Sequence, residues 1–139
     1  MFDVYLGGVS DSNWRETFKK QIGDEVTIFD PMVEDYHKFD EHEKADQSAK
    51  ELIHLQEKCS IIIFYINSSW KGTSLLLEIG ESIGQEEQVI LCLDGEVEGK
   101  SKIERYCNFH GVLMTNTIED LVITVEECLA QTELCSEDV

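Results

Sequence analysis

Positive charge is the scarcest property of this chain. Its 139 residues contain 11 Lys and Arg against 29 Asp and Glu, a formal net charge of −18, and only Arg15 and Arg105 carry a guanidinium. A nucleic-acid backbone or an anionic membrane surface would be repelled, so both are excluded as partners. The shortage also argues against ligands with several phosphates, which want guanidinium groups or several amides. Backbone amides at a helix N-terminus suffice for a single phosphate. The acidity itself is accounted for by solubility.

Other absences narrow the field. The five cysteines are odd in number and show no C-x-x-C or other metal-ligand spacing, which reads as free thiols in a reducing compartment. Met1-Phe2-Asp3 runs directly into a strand without a basic leader, and the longest apolar run, Ile61 to Ile66, is far too short to span a bilayer, so the chain reads as cytoplasmic. The turn Val4-Tyr5-Leu6-Gly7-Gly8 lacks both G-x-G-x-x-G spacing and a P-loop lysine. Glu34, Asp35, His37, Asp40, His42 and Asp46 have the residue types of a metal site but no ordering motif, and read as a solvated acidic surface. With no G-x-S-x-G or Cys/His signature either, neither a metal nor a cofactor is expected.

What is present is an alternation of strand and helix signals, the mark of a parallel sheet wrapped by helices. Strands are expected at Asp3 to Gly7, Val26 to Phe29, Ile61 to Ile66, Val89 to Leu93 and Val112 to Met114. Helices follow from Asn13, capped together with Glu16, from His42 to Glu57 with Ala45, Ala49 and Leu52 inward, from Ile103 to Phe109, and after the cap Thr117, where Ile118, Leu121, Val122, Val125 and Leu129 form a stripe. Hydrophobic residues at 42% can fill one core. The expectation is a flavodoxin-like three-layer α/β sandwich with a five-stranded parallel sheet, one domain over 1–132, and a loose acidic tail over 133–139. The long connection Met32 to Asp40 is of a length commonly tied to function.

The most informative segment is Trp70-Lys71-Gly72-Thr73-Ser74-Leu75-Leu76-Leu77-Glu78-Ile79-Gly80, following the Ile61 strand. In open α/β sheets ligands sit beyond the carboxyl ends of strands, where this segment delivers Gly72, Ser74 and Glu78. On a helical wheel Leu75, Leu76, Ile79 and Ile83 form one arc, Glu81 points away, and Glu78 lies on the flank, a setting that partly desolvates a carboxylate and suits it to nucleophilic or acid/base work. Leu77 falls about 140° from the centre of that arc, on a side where a monomer would carry a polar residue.

Four blocks in order, Val4-Tyr5-Leu6-Gly7-Gly8, Trp14-Arg15, Phe29-Asp30-Pro31-Met32-Val33-Glu34-Asp35-Tyr36, and Gly72 with Glu78 six residues later, resemble the nucleoside 2-deoxyribosyltransferase-like family, and most closely its short branch. The resemblance covers roughly the first two thirds of the chain and implies cleavage at C1′ of an N-glycoside. Glu78 matches the family's nucleophile and Tyr5 the tyrosine that holds it. Gly7, Gly8, Trp14, Asp35, Trp70, Gly72 and Ser74 stand where the loops around base and sugar would be. By analogy with retaining glycosidases, Glu78 would attack the anomeric carbon, a second acid would protonate the departing base, and another base or water would resolve the glycosyl-enzyme. The better-known transferases carry an aspartate where this chain has Gly72, leaving Asp35 or an acid of the Asp46 to Glu57 helix to supply that carboxyl. The resemblance further implies a homo-oligomer with Leu77 and Trp70 under a neighbouring chain. Two alternatives stand beside the enzyme: a non-catalytic nucleoside or nucleotide binder, and an N-glycosidase of nucleoside monophosphates or NAD-like dinucleotides.

Overall fold

The computed structural model describes residues 2–9, 13–31, 38–57, 59–69, 79–80, 82 and 88–137, with the side chains of 2, 51–57 and 132–137 excepted. In chain order the elements are β1 (Phe2–Gly8), α1 (Trp14–Ile22), β2 (Ile28–Phe29), α2 (Glu41–Glu57), β3 (Cys59–Ile66), β4 (Val89–Leu93), α3 (Lys100–His110), β5 (Leu113–Thr115) and α4 (Ile118–Glu137). Ile79, Gly80 and Ser82 are helical. The five strands form one sheet in the order β2-β1-β3-β4-β5, and every pairing is parallel. This is the flavodoxin-like arrangement expected from the alternation of elements.

The two central strands explain why the apolar runs are unbroken. Along β3, Ile61, Ile63 and Tyr65 enter one cluster with Trp14, Phe18 and Ile22 of α1 and Leu121, Val122 and Val125 of α4. Ile62, Phe64 and Ile66 enter the other, with Tyr5, Leu91, Ile79 and Cys107 of α3. A strand covered on both faces gains nothing from polar alternation, so all five residues of β4 are buried as well. At about 25 cal/mol per Å², each fully buried Ile or Leu contributes roughly 1.5 to 3 kcal/mol, which makes these two strands the main stabilising element.

Several boundaries and faces differ from the sequence expectation. α2 begins at Glu41 behind a reciprocal capping box: Glu43 N donates to Asp40 Oδ1 at 2.8 Å and Asp40 N to Glu43 Oε1 at 3.4 Å. Ala45 and Ala49 are exposed, whereas Lys44 and Gln47 are half-buried, with Gln47 Nε2 donating to Pro31 O at 3.0 Å. Gln47 thus anchors the described part of α2, and the Leu52 side chain, also expected inward, lies outside the described residues. Asn13 stands at the N-cap of α1 without a side-chain cap bond, because its ψ of 16° is not the extended geometry a cap requires. Thr117 does cap α4, accepting from Asp120 N at 3.1 Å. α4 runs to Glu137, so residues 133–137 continue a helix rather than forming a loose tail.

Candidate functional site

β1 leads through α1 to β2 on one side, while β3 lies on the other. That reversal is a topological switch point, the place where open α/β sheets commonly bind ligands. The turn that leaves β1 is pressed against β3. Gly8 has φ 126°, and a Cβ there would lie 2.2 Å from the Tyr65 carbonyl oxygen. The next residue, Val9, donates its N–H to the same carbonyl at 3.0 Å. Only glycine supplies both the dihedral and the clearance. Gly7 is also tightly enclosed, its would-be Cβ lying 2.8 Å from the Phe64 ring.

Trp14 and Arg15 secure this turn from behind. The indole Nε1 donates to Val9 O at 2.9 Å and Arg15 Nη1 to the same oxygen at 2.6 Å, while Arg15 Nη2 reaches Leu6 O at 3.3 Å. The guanidinium also lies 4.7 Å above the Trp14 ring and forms an ion pair with Asp30 at 3.2 Å, and Lys19 Nζ meets Asp30 at 2.6 Å. Asp30 directly follows β2, so one carboxylate ties the β1 turn and α1 to the end of β2. Trp14 was expected among the ligand-facing residues. It is 2% exposed, stacks on Tyr65 with centroids 4.8 Å apart, and buttresses the turn.

Tyr5 lies on the opposite face of β1, is 1% exposed, and stacks on Phe29 at 5.7 Å. It shares a core cluster with Ile79, the residue after Glu78. Asp35, Trp70, Gly72, Ser74, Leu77, Glu78 and Glu81 lie outside the described residues.

A polar pair at the same edge was not singled out in the sequence. The Tyr65 hydroxyl, near the end of β3, donates to Asp94 Oδ2, just past β4, at 2.5 Å. Burial, reinforced by the Asp94 hydrogen bond and charge, raises the Tyr65 pKa, so the phenol keeps its proton and remains a donor. Beside it, Asn67 Oδ1 accepts from Ser69 N at 3.0 Å and from Ser69 Oγ at 2.5 Å, closing an Asx turn after β3. Asn67 and Asp94 stand immediately beyond strand ends, which was the signal available in the sequence.

A separate cavity of about 310 Å³ opens between Ile79 and α3, walled by Ile66, Leu91, Ile103 and Tyr106. Its thiol, Cys107, is pushed up in pKa by burial and is therefore a poor nucleophile. Among the described residues no group of three or more His, Cys, Asp or Glu is placed to hold a metal, and no helix is long and apolar enough to cross a membrane. Cys92 and Cys107 are buried free thiols.

An all-parallel 2-1-3-4-5 sheet with a glycine turn at its switch point defines the class: a flavodoxin-like α/β protein. The family model described as nucleoside 2-deoxyribosyltransferase like matches residues 1–96, and the chain belongs to that family. The crystal structure of a conserved protein from Enterococcus faecalis V583 has a similar fold, with a TM-score of 0.60 at 11% identity over 91% of this chain and 98% of that one. No curated protein matches the chain.

Proposed function

We propose that the protein cleaves the N-glycosidic bond of a (deoxy)nucleoside, with Glu78 as nucleophile and transfer of the glycosyl group to another base or to water. The observation that carries this reading is the family match over residues 1–96, which spans both the Gly7-Gly8 turn and the Gly72 to Glu78 block. In the proposed cycle Glu78 attacks C1′ and the base departs with a proton from a second acid. A free base or water then displaces Glu78 from the anomeric carbon. Tyr5 would orient the nucleophile. Its shared cluster with Ile79 supports this, since Glu78 adjoins Ile79 in the chain. Gly8 would let backbone approach the ligand. Asp35, Trp70, Gly72 and Ser74 would line the pocket, while Gly7 and Trp14 would act by shaping the turn. The protein would work as a homo-oligomer.

The test is to incubate the protein with a panel of deoxynucleosides, with and without free bases, and to separate the products by chromatography. Released base marks hydrolysis and exchanged base marks transfer. A panel that returns unchanged under both conditions refutes the catalytic reading. Gly72, in place of the usual aspartate, favours one second reading: a nucleoside binder without turnover, recognised by saturable binding in the same panel.

A further inference from the structure

Carboxylates at the ligand edge of the sheet differ in what holds them. Asp30 is met by Arg15 and Lys19 and is largely spent on structure. Asp94 meets no cation among the described residues. Its Oδ2 takes the Tyr65 hydroxyl at 2.5 Å, its backbone N–H is fixed by Ile66 O at 2.9 Å, and nothing else described donates to its carboxylate. It is half-buried at the mouth of the loop that leaves β4, one strand from β3 and two from the β1 turn.

The carboxylate is held rigidly. Tyr65 is 5% exposed, and its ring is stacked on Trp14, which is itself tied to Val9 O. A chain of contacts therefore runs from the β1 turn through Trp14 and Tyr65 to Asp94, locking the rotamer as a binding residue requires. A carboxylate already fixed by a phenol donor is set up to accept a further hydrogen bond, which favours a binding role. With Oδ2 already accepting from Tyr65, Oδ1 is the oxygen left most open to a ligand. It suits a single donor.

We propose that Asp94 is a substrate-binding residue that accepts a hydrogen bond from one sugar hydroxyl of an unphosphorylated nucleoside, with Tyr65 as its positioning residue. This rests on the nucleoside reading above and adds to it the recognising group and the discrimination against phosphate. An uncompensated carboxylate in a chain of net charge −18 repels a nucleotide's phosphate while welcoming a neutral hydroxyl.

The experiment is calorimetric titration of the parent, D94N, Y65F and E96Q. Glu96 is an exposed acid two residues along, so E96Q removes the same charge without touching Asp94. The ligands are the best-bound common deoxynucleoside, its 5′-monophosphate, its 3′-deoxy and 5′-deoxy analogues, and a base analogue lacking the exocyclic amine or oxygen. The parent is expected to bind the nucleoside about tenfold or more better than the monophosphate, because charge-assisted hydrogen bonds and like-charge repulsion act in the same direction. D94N should lose about tenfold for the nucleoside, narrow the gap to the monophosphate, and bind one sugar analogue as well as the nucleoside. Y65F should move part of the way and E96Q should match the parent.

The proposal is overturned if D94N binds every ligand as the parent does, or if its loss follows the base analogue rather than a sugar analogue. Should D94N not fold, equal parent affinity for both sugar analogues and the nucleoside overturns it. Base release is measured on the same parent sample. Binding with the expected D94N pattern but no release refutes the catalytic reading and leaves Asp94 assigned, whereas a parent that binds none of the ligands overturns both.

Discussion

Arg15 Nε stands 3.2 Å from Asp30 Oδ1, with the arginine side chain 8% and the aspartate side chain 18% exposed. The pair joins the first residues of α1 to the residue after β2, and the same guanidinium satisfies carbonyls of the β1 turn. Removing one partner of a buried pair leaves the other uncompensated. Arg15→Ala should therefore lower stability by about 3 to 5 kcal/mol, and Asp30→Asn by less, because Asn keeps an acceptor. Urea unfolding of both variants checks the order; equal and small losses would remove the pair from the account of the turn.

Gly8 offers a sharper contrast. Gly8→Ala sets a methyl 2.2 Å from backbone oxygen and should cost about 3 kcal/mol or more by forcing β1 from β3. Gly111 has φ 69° with open space around it, so Gly111→Ala should cost only the left-handed backbone penalty of about 1 to 2 kcal/mol. Unfolding midpoints decide the comparison, and similar losses at the two sites would contradict the close approach.

Cys92 is fully buried, and burial pushes its thiol from 9.0 to about 11. The folded chain then retains a proton that the unfolded chain releases. The contribution is fully present below pH 9 and is lost as pH rises through about 11, amounting to about 2 to 3 kcal/mol. Tyr65 adds a loss of the same sign at higher pH. Stability measured from neutral to alkaline pH should fall less steeply between pH 9 and 11 in Cys92→Ala than in the parent; parallel curves would refute the linkage.

For the proposed chemistry, Glu78→Ala should abolish base release without unfolding the protein, and Glu81→Ala should change little. Tyr5→Phe keeps the stack on Phe29 and removes one donor, costing about 0.5 to 3 kcal/mol of transition-state stabilisation. Wild-type rates in Glu78→Ala would end the nucleophile assignment.

The proposed oligomer is tested by light scattering at micromolar concentration. Leu77→Glu is expected to yield monomers with reduced activity. A parent that is strictly monomeric and active would refute assembly as a requirement.

Where one physical term dominates, the chain could be read directly. β4 occupies Val89–Leu93 as expected, β3 contains the whole Ile61 to Ile66 run, and Thr117 caps the Leu121, Val122 and Val125 stripe, because continuous burial and a local cap leave a linear imprint. The family blocks were legible in the same way. Balances between weak terms were not. Gln47 rather than Ala45 or Ala49 faces inward on α2, bonded to Pro31, and no periodicity in residues 133–137 announced that α4 would continue through them.

The sequence by itself determined the layered fold, the family and the residues proposed for the chemistry, since each is carried by a run, a spacing or a motif along the chain. Tertiary structure decided that Trp14 turns inward, that Arg15 and Asp30 bind the first turn to the end of β2, and that Tyr65 holds Asp94. Those relationships join residues from different strand ends, and only the parallel register of the folded sheet brings such ends within a few ångströms.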